Sequence, residues 1–184
     1  MNYNQFENFK NLSCYEEFEI QSDLIGISKI DVLKIICHKI DNYYFFISND
    51  GIFNWFDLKG NHIEDPGILK ELKCEYIPIT IAKYVIPNSV ISIGDGAFWG
   101  CESLKEITIP NSVTSIGYCA FRYCTSLTSI SIPNSITCIG YKPFYKCNFL
   151  KEIIFKGKTL NEVKQLKNYP FGIEDEGIIK VSKL

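Results

Sequence analysis

A repeat of 23 residues runs through the centre of this chain and constrains its fold more than any other feature. Between residues 81 and 155 the element reads L-x-x-I-x-I-P-N-S-V-x-S-I-G-x-x-A-F-x-x-C. Four sets of residues recur with this spacing: Pro87, Pro110 and Pro133; Gly94, Gly117 and Gly140; Phe98, Phe121 and Phe144; and Cys101, Cys124 and Cys147. An unbroken period of this size predicts a solenoid, in which one supersecondary unit stacks on copies of itself.

Each repeat is expected to form one coil of the solenoid. The alternation of Ile130 and Ile132 is typical of a short strand with one face inward, and Pro133 ends the strand by removing a backbone donor. A second extended piece follows at 136–139, and Gly140 allows a bend at which a Cβ would be an obstacle. We therefore expect parallel strands, and stacked phenylalanines behind them, near residues 83–86, 106–109, 129–132 and 152–155.

One copy of the repeat carries a family resemblance. Residues 104–117 read LKEITIPNSVTSIG, and Ala120, Phe121 and Cys124 follow. This pattern resembles the BspA-type leucine-rich repeat over about residues 81–155. The resemblance implies a curved solenoid with a parallel sheet on its concave side, and a role in protein binding or adhesion.

The segment before the repeats has a different pattern, with three predicted antiparallel strands at 32–38, 43–48 and 52–58. They are joined by a turn at 39–42 and by Asn49-Asp50-Gly51, a strong hairpin signal, and a further turn is expected at 59–61. A single coil buries too little apolar surface to fold alone, so a solenoid needs caps at its ends. This segment is interpreted either as such a cap or as a separate binding module.

Helices are predicted in both flanking segments. One is expected within residues 4–19, and another over 65–73, with Asp65 as N-cap and Pro66 in the first position. After the repeats, Thr159 and Glu162 have the spacing of a capping box. The helix that it starts is expected to reach about residue 167, with Leu160, Val163 and Leu166 on one face, and to be followed by Pro170 and a closing strand at 177–181.

These patterns together predict an α+β protein in three parts. Residues 1–80 form an N-terminal capping region with an antiparallel β-meander. Residues 81–158 form the leucine-rich-repeat solenoid with its short parallel sheet. Residues 159–184 form a helix–strand C-terminal cap, whose role is to cover the last open coil.

Composition and charge argue against several classes of function. A net charge of −2 without any Lys/Arg-rich run argues against nucleic acid. No apolar stretch is long enough to span a membrane, and the first residues do not have the pattern of a secretory signal peptide. The two histidines, His38 and His62, have no partner at catalytic or metal-binding spacing. We therefore expect no enzyme, no metal and no cofactor.

The eight cysteines are interpreted as reduced thiols. Cys101, Cys124 and Cys147 should stack on one another in coils roughly 4.8 Å apart, with parallel Cβ vectors that do not suit a disulfide. Buried thiols of this kind indicate a reducing compartment, hence a cytoplasmic protein. On this interpretation, Ser in place of Cys124 is expected to lack a hydrogen-bond partner and to destabilise the coil.

Two surfaces are candidates for binding. The first is the concave face of the predicted sheet, whose outward positions are Lys83, Val85, Glu106, Thr108, Ser129, Ser131, Glu152 and Ile154. The second is a set of aromatic residues in the N-terminal strands, namely Tyr44, Phe46, Phe53 and Trp55. Each has a plain alternative: the concave face is an ordinary solvated sheet face, and the aromatic set belongs to the core.

The function predicted from these observations is that of a non-enzymatic leucine-rich-repeat scaffold that binds a protein partner. Three alternatives stay open at this point. The resemblance also implies a surface-exposed, host-interaction or adhesion protein, exported without a visible signal peptide. The second alternative is an enzyme with an unrecognised site in residues 1–80. The third is a structural unit that self-associates through the ends of the solenoid.

Overall fold

The structure is a computed structural model and describes residues 38–47, 52–58, 61–77 and 80–183. The described residues belong to two compact units, one that extends to Ile68 and one that starts at Leu69. The division therefore falls before the boundary expected at residue 80. The second unit already includes Leu69 and Leu72, both of which are buried apolar residues.

The first unit contains a four-stranded antiparallel sheet. Its strands are β1 (His38–Ile40), β2 (Tyr43–Ile47), β3 (Phe53–Asp57) and β4 (His62–Ile63), in that order. The meander predicted at 43–48 and 52–58 is confirmed, and Asp41 turns the chain with a positive φ of 49°. The turn expected at 59–61 is followed by His62, which pairs with Phe56 in β4. The predictions for 4–19, for most of 32–38 and for Asn49-Asp50-Gly51 lie outside the described residues.

The helix predicted over 65–73 is wrong. The carboxylate of Asp65 does accept a hydrogen bond from the backbone N–H of Gly67, at 2.9 Å. Gly67, however, has a φ of +73°, and a residue in this left-handed conformation cannot continue a right-handed helix. The chain then enters strand β5 (Glu71–Leu72), which pairs in parallel with Ser92–Ile93, and a 3₁₀ turn at Cys74–Tyr76 follows.

The second unit is a solenoid of stacked parallel strands with two strand rows. The first row contains a two-stranded sheet, β6 (Lys83–Val85) and β8 (Glu106–Thr108), and a three-stranded sheet, β10 (Ser129–Ile132), β12 (Glu152–Lys156) and β13 (Ile179–Ser182). The second row contains β5, β7 (Ser92–Ile93), β9 (Ser115–Ile116) and β11 (Cys138–Ile139). Strands pair in the register of the repeat, since Lys83 lies opposite Glu106 and Ser129 opposite Glu152. The predicted parallel strands are confirmed.

A column of aromatic rings fills the centre of the coils. The rings of Phe98 and Phe121 stack with centroids 5.0 Å apart, and those of Phe121 and Phe144 with centroids 5.5 Å apart. Tyr84 meets Phe98 edge-on at one end of the column. Such pairs contribute roughly 0.5–1.5 kcal/mol each beyond the burial of their area. The predicted stacking of the repeated phenylalanines is confirmed.

The repeated glycines permit the coils to approach each other closely. A Cβ built on Gly117 would lie 2.6 Å from the carbonyl carbon of Gly94, and one on Gly140 would lie 2.5 Å from that of Gly117. The N–H of Gly117 donates to the carbonyl of Ile93 at 2.8 Å, in the preceding coil. The glycines are therefore required by contact between neighbouring backbones, and their φ values lie outside the left-handed region.

The segment after the repeats has the capping box that the sequence predicts. Thr159 Oγ1 accepts a hydrogen bond from the N–H of Glu162, and Glu162 Oε2 accepts one from the N–H of Thr159. Helix α1 (Leu160–Gln165) is the only α-helix among the described residues and ends earlier than expected, because Leu166 is extended. Val163 is buried, whereas Leu160, expected on the same buried face, is 42% exposed.

Strand β13 pairs in parallel with β12, with Ile179 opposite Ile153. The closing strand predicted at 177–181 is thus present at Ile179–Ser182. It adds a further strand to the edge of the first row. That the tail as a whole protects the end of the solenoid stays a prediction.

Replacing Gly117 with Ala is expected to lower the free energy of unfolding by about 1–3 kcal/mol, because the added methyl group meets backbone that cannot move without separating two coils. Denaturant titration of purified variants measures this. Gly100→Ala is the control: its φ is 74° but nothing lies within 4 Å of the added Cβ, so only conformational strain is introduced. A Gly117→Ala variant that is less affected than Gly100→Ala would contradict the role given to coil contact.

Thr159→Ala is expected to cost about 0.5–2 kcal/mol of stability, because it removes the N-cap acceptor of α1. The pKa of Glu162 is lowered, first by its hydrogen bond with the Thr159 backbone and then by that with the Thr159 side chain. Its contribution is therefore present above the unfolded-state pKa of about 4.3 and is lost as the pH falls through the lower folded-state pKa. Melting curves recorded from pH 7 to 3 should show less pH dependence in Glu162→Gln than in the parent protein. Equal pH dependence in both proteins would argue against the box.

Candidate binding surfaces

The outward sides of the two sheets in the first strand row are here together called the strand face. It contains the eight residues that the sequence predicts for a binding face: Lys83, Val85, Glu106, Thr108, Ser129, Ser131, Glu152 and Ile154. Successive side chains of a strand point to opposite faces, and the residues between these eight, such as Tyr84, Ile130 and Ile153, are buried. The eight residues therefore point outward. The structure therefore brings this predicted set together, and adds Lys180 of β13, which lies opposite Ile154.

The strand face is polar and only weakly charged. Lys83 Nζ lies 3.4 Å from Glu106 Oε2, and both side chains are more than half exposed. An exposed pair of this kind contributes at most about 1 kcal/mol and exchanges readily with other partners. Ser129 and Ser131 occupy the middle of the face. The arrangement offers hydrogen-bonding groups along a straight path across successive coils.

The aromatic set in the first unit does not form one face. Trp55 lies opposite Phe45 in the sheet, and their rings are 4.9 Å apart. Tyr44 and Phe46 take the alternate register positions, opposite Phe56 and Asn54. Trp55 is only 2% exposed. The core interpretation therefore holds for Trp55, and its loss would unfold the sheet rather than remove a surface anchor.

The repeated cysteines are free thiols buried in the coils. The thiol of Cys124 donates to the carbonyl of Phe98 at 3.1 Å, and that of Cys147 to the carbonyl of Phe121 at 3.0 Å. Burial raises the pKa of Cys101 to about 11 and that of Cys147 to about 12, and raises that of Cys124 as well. These cysteines are therefore protonated thiols at neutral pH, and protonated thiols are poor nucleophiles and poor metal ligands.

The expectation that a hydroxyl at position 124 lacks a partner is wrong, because the carbonyl of Phe98 is in place to accept from it. We now expect Cys124→Ser to retain most of the stability and Cys124→Ala to lose more. The difference is the hydrogen bond, worth roughly 0.5–1.5 kcal/mol. Thermal unfolding of the two variants measures it. A Ser variant less stable than the Ala variant would show that the hydrogen bond does not compensate for burial of the hydroxyl.

A third surface was missed by sequence reasoning. It consists of the turns at 95–100, 118–123 and 141–146, here called the turn face. Hydrogen bonds between coils hold the turns in line: Gly96 N–H donates to the Tyr118 carbonyl at 2.8 Å, and Cys119 N–H to that of Tyr141 at 3.1 Å. Trp99, Tyr118 and Tyr141 are each close to half exposed.

The side chains of the turn face alternate aromatic and cationic groups from coil to coil. Trp99, Arg122 and Tyr145 are spaced 23 residues apart. The guanidinium carbon of Arg122 lies 4.9 Å from the Trp99 ring centroid and 5.1 Å from that of Tyr145. A signal for this surface was present in the variable positions of the repeat, where these residues and the pair Tyr118 and Tyr141 recur with the same period.

Acidic residues limit the turn face at its C-terminal end. A cavity of about 280 Å³ lies between the last turn and the tail, and its lining includes Lys146 together with Glu174 and Asp175. In the described part of the chain, no group of three or more His, Cys, Asp or Glu residues is placed to hold a metal ion. No helix among those residues is both long and apolar enough to cross a membrane.

Parallel strands stacked with a period of 23 residues, a phenylalanine column inside and short turns outside define a leucine-rich-repeat solenoid. The sequence pattern of the BspA type leucine rich repeat region matches residues 75–173 in six copies. The chain belongs to this family. The match starts before residue 81, in agreement with the early start of the solenoid at β5.

Two solved structures are similar to this chain. A leucine-rich repeat protein from Bacteroides capillosus ATCC 29799 is 24% identical, with a TM-score of 0.49, over 66% of this chain and 99% of that protein. A leucine rich cell surface protein from Faecalibacterium prausnitzii A2-165 is 26% identical, with a TM-score of 0.42, over 79% of this chain and 39% of that protein. Among curated proteins, none matches the sequence.

Proposed function

We propose that this protein is a non-enzymatic scaffold that binds another protein through its leucine-rich-repeat solenoid. The observation that carries the proposal is the strand face. Side chains that are 23 residues apart in the sequence lie opposite one another across parallel strands, as Lys83 and Glu106 do. Solenoids use such faces, built from one residue of each repeat, as extended binding surfaces.

The chemistry of the strand face favours an extended segment of a protein partner. Serine and threonine hydroxyls at 108, 129 and 131 can donate and accept hydrogen bonds in the middle of the strand face. The exposed Lys83–Glu106 pair offers both signs of charge. A surface of small polar groups without a deep cleft suits a strand or a loop better than a small molecule, which binds in a concave and mostly apolar site.

Family membership supports a repeat scaffold, and the buried thiols support a non-catalytic role, because their raised pKa values keep them protonated. We further propose that the protein works in a reducing compartment, as a cytoplasmic protein does. The reduced ladder of Cys101, Cys124 and Cys147 is the reason for this proposal. Counting free thiols on protein taken from its native source, without reductant, tests the compartment.

The binding function is tested by site-specific photo-crosslinking in cells of the source organism. A photoreactive amino acid at Ser129, in the middle of the strand face, is expected to capture a distinct protein partner. The matched control is the same amino acid at Lys164, which is exposed on α1 away from the strands. Glu106→Lys and Glu152→Lys, added to the Ser129 probe, should reduce the adduct.

The absence of a protein adduct at Ser129, combined with the absence of one at a probe on the turn face, would overturn the proposed function. An adduct at Lys164 of equal intensity would show that the capture is not specific to the strand face.

A further inference from the structure

We propose that the turn face is a second binding site, and that its ligand is an acidic segment of a partner protein. This inference rests on the proposed function of protein binding and adds a location and a partner chemistry to it. The site is defined by Trp99, Tyr118, Arg122, Tyr141, Lys142, Tyr145 and Lys146.

Three cations converge on one ring of this face. The guanidinium of Arg122 and the ammonium groups of Lys142 and Lys146 lie 5.1, 5.0 and 5.4 Å from the centroid of Tyr145. Charges of the same sign that are held this close repel one another. The ring offsets part of this repulsion, because the negative face of an aromatic ring attracts a cation.

No carboxylate in the described part of the chain forms an ion pair with the cluster. Among the described residues, no ion pair involves Arg122, Lys142 or Lys146. The one acidic residue within the three turns, Asp95, accepts a hydrogen bond at Oδ1 from the N–H of Tyr118 at 2.6 Å and forms no ion pair with these cations. A protein with a net charge of −2 thus keeps three unpaired cations on one small surface. The complementary ligand is an anion.

Lys142 and Lys146 occupy turn positions that are left-handed in every copy of the repeat, including Cys119 (φ 51°) and Tyr123 (φ 62°) in the middle copy. Lys142 has a φ of 51° and Lys146 a φ of 64°, both left-handed. The first copy of the repeat has Gly96 and Gly100 at the equivalent positions, with φ values of 60° and 74°. Glycine adopts this conformation without the strain that a side chain introduces.

Exposed aromatic rings surround the cations. Trp99 is 48% exposed, and Tyr118 and Tyr141 are 45% and 52% exposed. The rings of Tyr118 and Tyr141 stack with centroids 6.2 Å apart, which places aromatic side chains of two coils side by side. Tryptophan, tyrosine and arginine are the residues most often responsible for binding energy in protein interfaces. The ligand is therefore expected to carry apolar side chains beside its acidic groups.

The number and placement of the charges favour a protein over a nucleic acid. Duplex DNA carries one charge per about 1.7 Å of its axis, and proteins that bind its backbone need a long row of cations. Here the positive region ends at Lys146, where Glu174 and Asp175 line the adjoining cavity. Three clustered cations match two or three carboxylates of one peptide, and Arg122 can bind a carboxylate with two parallel hydrogen bonds.

The test uses a fluorescein-labelled peptide of six glutamates with two interspersed leucines, and fluorescence anisotropy with the full chain. The decisive variant is Lys142→Gly with Lys146→Gly, which removes two charges and restores the glycines of the first copy, so the fold should be at least as stable. Loss of both contacts is expected to weaken binding about tenfold or more. Trp99→Ala should weaken it as well.

The matched control is Lys105→Gly with Lys151→Gly, which removes the same charge from exposed lysines outside the turn face. Its affinity for the peptide should equal that of the parent protein. Equal loss in both double variants, or no binding of the peptide, would overturn the proposal. The partner class would be wrong if a labelled single-stranded oligonucleotide or vesicles with anionic lipid bound in the peptide's place with the same sensitivity to Lys142 and Lys146.

This outcome is separable from failure of the proposed function. A probe at Ser129 that captures a partner while the acidic peptide does not bind would leave the scaffold function intact and remove the turn-face site. A second crosslinking probe at Tyr141 completes the design. Its adduct should disappear when Lys142 and Lys146 are replaced with glycine, and should survive Glu106→Lys.

Discussion

Close contact between the backbones of neighbouring coils is the constraint on which the rest of the structure depends. The N–H of Gly140 reaches the carbonyl of Ile116 at 2.7 Å, and a Cβ at Gly140 would overlap the carbonyl carbon of Gly117. With the coils fixed at this distance, the rings of Phe98 and Phe121 come to 5.0 Å, and the thiol of Cys124 reaches the carbonyl of Phe98. The column of rings, the ladder of thiols and the two rows of strands all depend on this one distance between neighbouring coils.

The same constraint separates positions that must repeat from positions that are free to vary. At the ring and thiol positions an inward side chain has equivalent neighbours in successive coils, and phenylalanine or cysteine recurs there. An outward side chain on a turn meets solvent and the equivalent side chain of the next coil. Trp99, Arg122 and Tyr145 share one such position. Variation along an outward row is therefore where the binding properties of this solenoid are set.

The first and last copies of the repeat share left-handed turn positions but differ in the residues that occupy them. The left-handed turn positions are glycine in the first copy but Lys142 and Lys146 in the last. The hydrogen bonds and burial of the coil hold these lysines in a left-handed conformation that is unfavourable for lysine in an isolated chain. A regular core thus provides the rigid support that a less regular surface requires.

Features that arise from local or strictly periodic patterns were predictable from the sequence alone. The parallel strands, the phenylalanine column, the buried thiols and the capping box of Thr159 belong to this group, because each depends on residues close in sequence or on an invariant spacing. Only the tertiary structure decided the rest. The segment at Glu71–Leu72 is a strand because Leu72 finds Ile93 in the next coil, and this pairing outweighs the local helix signal of Asp65. Likewise, the acceptor for the Cys124 thiol comes from the preceding coil, and Arg122 reaches the Tyr145 ring from a different coil. No local pattern encodes contacts between side chains that meet only when one coil stacks on the next.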